Sequence, residues 1–223
     1  MKKTILKIAL LLLASLFIYS CDDDIAISEK DYSNLSVGVF GGSISSRSQS
    51  QTGKNMWTNE FKFKVFTHGS DGAGFSNCNK NNIPIQISNA PAYDVYILWA
   101  STNDARHATI GDINSDDPST QNGGIRACIN LIKEKNSDAQ ILFFVSIHRF
   151  DIYHDILYPF IDAQIDLCKS LNIPYLDQSV FYTEKNYKDY YMSDEVHLNE
   201  NGYRKIAPMQ IDFFHTYLVL KNN

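Results

Sequence analysis

The stretch VGVFGGSISS, residues 37–46, is an apolar run that ends in two glycines and a serine. A short apolar run bounded by glycine is typical of a strand that is covered on both faces of a parallel sheet. Gly41 and Gly42 allow the backbone to turn sharply after this strand. Ser43 is therefore expected at the tip of the turn, either as an ordinary helix cap or as a reactive hydroxyl.

Four further apolar runs along the chain also have strand character. With the first run at 35–40, the predicted strands are 35–40, 62–68, 94–100, 140–147 and 173–179. Stretches with apolar residues at helical spacing lie between and after them, at 123–136, 159–172 and 199–220. Alternating strands and helices predict an α/β fold with a parallel sheet between two layers of helices. In such a sheet the ligand site lies at the carboxyl ends of the strands.

Polar residues that are useful for catalysis follow several of these strands. The segment GSDGAGFS contains Gly72, the segment STND contains Asn103, and the segment SDEVHLNENG, before the last helix, contains Asp194 and His197. A serine hydroxyl needs a base to take its proton, and the base needs a partner that fixes its tautomer. His197 with Asp194 three residues earlier can supply both groups to Ser43.

An ester carbonyl attacked by a serine becomes an oxyanion, which needs fixed hydrogen-bond donors. The backbone N–H groups of Ser43 and Gly72 and the side-chain amide of Asn103 are the candidate donors. Gly69 is the alternative to Gly72 in the same glycine-rich loop. Asp104, next to Asn103, is expected to be a structural hydrogen-bond acceptor.

These four segments, in this order, resemble the four blocks of the SGNH (GDSL-type) hydrolase superfamily over about residues 35 to 220. The resemblance implies a flavodoxin-like three-layer α/β/α sandwich with a five-stranded parallel sheet. It also implies hydrolysis of esters, including acylated carbohydrates and lipids, without a metal or another cofactor. Transferred by motif, Ser43 is the nucleophile, Asp194 and His197 complete the triad, and Gly72 and Asn103 complete the oxyanion hole.

The sequence departs from the family pattern at two positions. Gly42 stands where the family has aspartate before the nucleophile, and Ser101 stands where the third block has glycine. A serine fits there only if the backbone does not require a positive φ. The departures motivate an alternative function, a non-catalytic glycan-binding lipoprotein that retains the fold. Acyl transfer to a glycan with the same triad is a third hypothesis.

Further residues follow the fourth strand or lie close to the triad loop. His148 and Arg149 are candidate substrate contacts at the same edge of the sheet. The tyrosine-rich segment 182–192 is expected either to stack against a sugar ring or to cover the core. The expected substrate is a small-molecule or glycan ester with a small acyl group, for example an acetylated polysaccharide.

The N-terminal segment indicates export from the cell. Residues 1–20 combine three lysines with a short apolar core, which is typical of a signal peptide and too short for a membrane span. The ending FIYSC resembles the lipobox of bacterial lipoproteins and implies lipidation of Cys21. Residues 21–34 are a polar tether, and 35–223 form one hydrolase domain. We expect a protein anchored in the bacterial envelope through its lipid, in the manner of Bacteroidetes surface lipoproteins.

Composition excludes several classes of function. The chain has 25 acidic and 20 basic side chains, and no basic patch, so nucleic acid is not an expected partner. The cysteines that follow Cys21 lack the spacing of a metal site. Cys128 and Cys168 lie in helix-like patterns and are expected to pack as small apolar residues, whereas a disulfide with Cys78 is left open. The sequence specifies no oligomeric state.

Overall fold

The computed structural model describes residues 32–52 and 61–218 of the chain. Residues 1–20 and Cys21 lie outside these ranges, so the signal peptide, the lipid anchor and the limits of the tether stay predictions. None of the helices in the described part of the chain is long and apolar enough to cross a membrane.

The described residues form one sheet of five parallel strands with the spatial order β2-β1-β3-β4-β5. The strands are β1 (Ser36–Gly41), β2 (Lys64–Thr67), β3 (Val95–Trp99), β4 (Gln140–Phe144) and β5 (Tyr175–Leu176). Gly41, the last residue of β1, pairs with Trp99, the last residue of β3. The predicted sheet is confirmed, and the loops after β1 and β3 leave it side by side.

Helices cover both faces of this sheet. They are α1 (Ser43–Thr52), α2 (Ile83–Asn89), α3 (Asp104–His107), α4 (Gln121–Lys135), α5 (His154–Ser170) and α6 (Glu200–Tyr217). Val95 and Ile97 of β3 pack in one core with α1 and α6. Tyr96 and Leu98 of the same strand pack in a second core with α2, α4 and α5. Because side chains alternate along a strand, β3 contributes residues to both cores. The three-layer α/β/α fold is confirmed.

The fourth strand is shorter than the predicted range 140–147 and ends at Phe144. Its continuation is buried, and the N–H of Val145 still donates to the carbonyl of Leu176 on β5, but from Ser146 onward the bonds go to side chains and loops. The backbone N–H of Ser146 donates to Gln164 Oε1 at 2.9 Å, and its hydroxyl donates to the carbonyl of Ser101 at 2.7 Å. The apolar sequence pattern therefore extends over buried residues that no longer belong to the strand.

The fifth strand contains only Tyr175–Leu176 instead of the predicted range 173–179. Asp177 Oδ1 accepts hydrogen bonds from the backbone N–H of Ser179 at 3.0 Å and from its hydroxyl at 2.6 Å. These bonds begin a short 3₁₀ helix, Ser179–Phe181, which ends the extended conformation.

The two buried cysteines, Cys128 and Cys168, pack in the core that contains α4 and α5, as predicted. Cys78 is exposed, and all three of these thiols are free.

Helix α5 begins at His154, five residues before the predicted start at Pro159. Asp151 organises this earlier start, since its carbonyl accepts the N–H of His154 at 3.0 Å and its carboxylate accepts the N–H of Tyr153 at 3.1 Å. The proline is thus inside the helix and is not its first residue.

A buried tyrosine joins the first and last helices. The hydroxyl of Tyr203, on α6, donates to the carbonyl of Ile44, on α1, at 2.8 Å, and both side chains lie in the same core. This bond fixes the start of α6 relative to the start of α1, which are the two ends that carry His197 and Ser43.

We expect Tyr203→Phe to lower the free energy of unfolding by about 1 kcal/mol, the usual net contribution of one such hydrogen bond. Urea denaturation measures this change. Tyr217→Phe on the same helix is the matched control because its ring is 44% exposed. Equal stability of the two variants would contradict a structural role for the Tyr203 hydroxyl.

Candidate active site

The turn after β1 brings three loops into contact. A Cβ atom at Gly42 would lie 2.6 Å from the Cβ of Ser101 and 2.8 Å from the carbonyl oxygen of Ala73. Gly42 precedes Ser43, Ala73 follows Gly72, and Ser101 is two residues before Asn103. The close approach at Gly42 therefore brings together the three segments that carry the candidate nucleophile and the candidate oxyanion donors.

Ser43, His197 and Asp194 form a continuous chain of hydrogen bonds. Ser43 Oγ lies 2.8 Å from His197 Nε2, and His197 Nδ1 lies 2.7 Å from Asp194 Oδ2. The two ring nitrogens thus face a hydroxyl and a carboxylate, which is the arrangement that lets a neutral imidazole accept the serine proton.

The loop that carries Asp194 and His197 is held by its own hydrogen bonds. Asp194 Oδ1 accepts the backbone N–H groups of Val196 and His197, each at 3.0 Å. Burial opposes the charge of Asp194, but these bonds and the contact with the His197 ring hold the pKa of its carboxyl below the ordinary value. The carboxylate is therefore ionised at neutral pH and can orient the ring.

The same loop contains a residue with an uncommon backbone conformation. Glu195 has a φ of 59°, in the left-handed region that residues other than glycine seldom adopt. Its N–H donates to the carbonyl of Met192 at 3.0 Å, and the N–H of Met192 donates to the carbonyl of His197 at 2.7 Å. These two hydrogen bonds close the turn, which keeps Asp194 and His197, three residues apart, close together.

Two of the candidate oxyanion donors lie close to the turn at Gly42. As the first residue of α1, Ser43 has a backbone N–H without an acceptor within the helix, at the positive end of the helix dipole. Asn103 Nδ2 donates to the carbonyl of Ala73 at 2.9 Å. An amide group has two N–H donors, so one remains for a substrate oxygen.

The two glycines of the second loop have different environments. Gly72 has a φ of 76°, at a turn next to Ala73, and no atom lies within 4 Å of the position that a Cβ would take. Gly69 packs against α1, where a Cβ would lie 2.2 Å from Ser45 Oγ and 2.9 Å from the nitrogen of Ser46. Packing accounts for the glycine at 69, and the conformation of the turn accounts for the glycine at 72.

Asp104 is a buried structural acceptor, as the sequence predicts. Its carboxylate accepts the N–H of Phe75 at 2.8 Å, the N–H of Ser76 at 2.9 Å and the side-chain amide of Asn79 at 2.7 Å. Burial raises the pKa of this carboxyl to about 6, against the opposing effect of the three donors. Asp104 fixes the loop that follows Gly72 to the loop that contains Asn103.

Ser101 is an organising residue that sequence reasoning treats only as a departure from a motif. Its hydroxyl donates to the carbonyl of Ala73 at 2.6 Å and accepts the N–H of Asn103 at 3.2 Å. Ser101 is not among the described residues with a positive φ, so the serine fits without backbone strain. The sequence signal for this role is its position two residues before Asn103.

The two candidate substrate contacts after β4 have different surroundings. Arg149 is buried, forms an ion pair with Asp151 through two nitrogens and reaches Thr102 Oγ1 at 3.4 Å. His148 is half-buried and lines a cavity. Its pKa is lowered, chiefly by burial and then by the neighbouring His154. Contact with substrate stays a prediction for both residues. The guanidinium of Arg149 is ion-paired with Asp151.

No group of three or more metal-ligating side chains is present among the described residues.

Comparison with known sequences identifies the family. The sequence pattern of the GDSL-like lipase/acylhydrolase family matches residues 39–205, a range that contains Ser43, Gly72, Asn103, Asp194 and His197. The chain belongs to this family. It is an SGNH-type ester hydrolase, and the resemblance drawn from the four sequence blocks is confirmed.

Solved structures with the same fold include several GDSL-like enzymes. A possible lipase from Chitinophaga pinensis DSM 2588 has a TM-score of 0.65 and 18% sequence identity, over 82% of this chain and 98% of that chain. A lipolytic G-D-S-L family protein from Veillonella parvula DSM 2008 has a TM-score of 0.60 and 18% identity, over 82% and 99%. Est24, a carbohydrate acetylesterase from Sinorhizobium meliloti, has a TM-score of 0.60 and 11% identity, over 82% and 100%. No curated protein sequence matches this chain.

We expect Asp104→Asn to destabilise this GDSL-like protein by about 1–3 kcal/mol, because the new amide would direct its own N–H groups at a buried donor. Since the folded carboxyl has a pKa of about 6, above its ordinary value, its contribution to stability falls as the pH rises from about 4 to about 6. The decrease in the free energy of unfolding caused by Asp104→Asn should therefore be larger near pH 4 than near pH 7.

Urea denaturation at the two pH values measures both effects. Asp112→Asn is the control, since Asp112 accepts one N–H at an exposed turn. A loss that is no larger for Asp104→Asn than for this control would contradict the structural role of Asp104.

We expect Gly42→Ala to lower kcat for p-nitrophenyl acetate on the order of 10²-fold, because the added Cβ would displace the segments that carry Gly72 and Asn103. The same substitution should lower kcat less in a Ser101→Gly background, since the Cβ of Ser101, the atom nearest to the added Cβ, is then absent. A double-mutant cycle of Gly42→Ala with Ser101→Gly measures this coupling. Equal losses in the two backgrounds would show that Ser101 does not impose glycine at position 42.

Proposed function

We propose that this protein is a serine esterase that hydrolyses small acyl esters through the triad Ser43–His197–Asp194 and an acyl-enzyme. The observation that carries the proposal is the 2.8 Å contact between Ser43 Oγ and His197 Nε2. The other ring nitrogen of His197 makes a 2.7 Å contact with Asp194. These distances are those of hydrogen bonds that can pass a proton.

In the first step, Ser43 Oγ attacks the ester carbonyl while His197 Nε2 takes the hydroxyl proton. The imidazolium that forms is stabilised by the ionised carboxylate of Asp194 on the other ring nitrogen. The carbonyl oxygen becomes an oxyanion that accepts hydrogen bonds from the N–H groups of Ser43 and Gly72 and from the amide of Asn103. Collapse of this intermediate transfers the proton from His197 to the leaving alcohol and leaves the acyl group on Ser43.

In the second step, water replaces the alcohol. His197 deprotonates the water, which attacks the acyl-enzyme through the same oxyanion arrangement, and Ser43 regains its proton as the acid leaves. The side chains of His197 and Asp194 are 16% and 44% exposed, so solvent has access to the base. This access supports hydrolysis over acyl transfer, which needs water to be excluded.

An acetyl ester of a carbohydrate is the substrate class that we favour. One structural relative is a carbohydrate acetylesterase, although its 11% identity supports the shared fold alone. The second support is the half-buried ring of Tyr187, which stacks on Phe150 beside the triad loop. The alternative, a non-catalytic glycan-binding protein, has no need for a contact between Ser43 and His197. The presence of this contact therefore favours the esterase.

Replacing the nucleophile tests the proposal. We expect Ser43→Ala to reduce kcat for p-nitrophenyl acetate roughly 10⁶-fold, because the substitution removes the hydroxyl that contacts His197 Nε2. Ser46→Ala is the matched control on the same helix, one turn later, and should retain most of the activity. Unchanged turnover by Ser43→Ala would refute the assignment of the nucleophile.

A further inference from the structure

A cavity of about 470 Å³ lies on the same edge of the sheet as the triad, outside the residues to which the motifs assign a role in catalysis. One part of its lining, with His148 and Phe150, follows β4. Another part follows β5 and consists of Ser179, Val180 and the four residues 182–185. A cavity of this size is within the range of small-molecule binding sites.

The lining of this cavity is bonded directly to the triad loop. The backbone N–H of Phe150 donates to the carbonyl of Glu195 at 2.8 Å. The Phe150 ring stacks on Tyr187 with centroids 4.3 Å apart, and the Tyr187 hydroxyl donates to Glu195 Oε1 at 2.8 Å. Glu195 lies between Asp194 and His197 in the chain, so a ligand in the cavity has a fixed position relative to the catalytic base.

Aromatic and imidazole rings form one component of the lining. Tyr158 is 43% exposed, and its ring centroid lies 4.6 Å from that of His148. The Tyr158 hydroxyl lies 3.0 Å from His154 Nε2, which fixes the orientation of the ring. Such rings offer flat apolar surface for the C–H face of a ligand ring, with polar groups at their edges.

Polar side chains form the other component. Thr183, Glu184 and Lys185 are exposed and line the cavity, so both donors and acceptors are available. The acidic and the basic side chain balance each other, which disfavours a phosphate or another highly charged ligand. Among the described residues of the lining, only Val180 is aliphatic, which disfavours a long acyl chain.

We propose that this cavity binds a neutral sugar unit of the ester substrate, beside the acyl group that Ser43 attacks. The C–H face of the sugar packs on the rings of Tyr158 and His148, and its hydroxyls bond to Thr183, Glu184 and Lys185. This inference rests on the proposed esterase function for its place in catalysis, whereas sugar binding itself can be measured without turnover.

Calorimetric titration of the Ser43→Ala protein, which cannot turn over the ester, measures this binding. The probes are partially acetylated xylotetraose, glucotetraose and mannotetraose. We expect at least one of them to bind, with a Kd about tenfold higher when Tyr158→Ala is added. Tyr217→Ala, on α6 and with similar exposure of 44%, is the matched control and should leave the Kd unchanged.

A second variant keeps the test independent of the packing of Tyr158. Thr183→Val removes one hydroxyl without changing the shape of the side chain, and it should raise the Kd several-fold. With Ser43 present, Tyr158→Ala should raise KM for the acetylated oligosaccharide and leave kcat/KM for p-nitrophenyl acetate within twofold of wild type.

Three results would overturn the sugar site. They are no binding of any of the three oligosaccharides, wild-type affinity in both Tyr158→Ala and Thr183→Val, or a loss of activity in Tyr158→Ala that is as large on p-nitrophenyl acetate as on the acetylated oligosaccharide. The last result would mean that Tyr158 acts through the triad and not through the sugar. Failure of the esterase proposal has a different signature, since the protein with Ser43 intact would then leave p-nitrophenyl acetate unhydrolysed while still binding sugar.

Discussion

The hydrogen bond between Ser43 Oγ and His197 Nε2 joins two side chains that are 154 residues apart in the chain. Several elements of the fold contribute to this contact. Strand β1 ends at Gly41, two residues before Ser43, and the Tyr203 hydroxyl ties the helix that follows His197 to the helix that begins at Ser43. The N–H of Phe150 holds the triad loop from the side of β4. The fold therefore fixes the base relative to the nucleophile before any substrate binds.

The close packing at Gly42 links the two departures from the family pattern. Gly42 has no room for a side chain because Ser101 and the carbonyl of Ala73 lie against it. The Ser101 hydroxyl in turn holds that carbonyl and the N–H of Asn103. The side chain of Ser101 thus occupies the space that a side chain at position 42 would need. Neither departure disturbs the hydrogen bonds of Ser43, His197 and Asp194.

The sequence is sufficient to predict the five strands, the layers and the residues that meet at the site, because burial and motif spacing are local patterns. It does not predict where strands end, since Ser146 and Asp177 redirect the backbone through side-chain bonds to distant or irregular partners. The burial of Arg149 depends on its ion pair with Asp151 in the folded chain. Likewise, the anchoring role of Tyr203 depends on the packing of α6 against α1, which no local pattern encodes.

Covalent labelling measures the nucleophilic character of Ser43. The protein is treated with a fluorophosphonate ester, and the labelled peptides are identified by mass spectrometry. We predict one adduct per chain, on Ser43, formed at a rate that falls sharply in His197→Ala, because the base must take the hydroxyl proton. An adduct on a different residue would show that Ser43 is not the nucleophile. Undiminished ester hydrolysis by protein that is fully labelled on Ser43 would show the same.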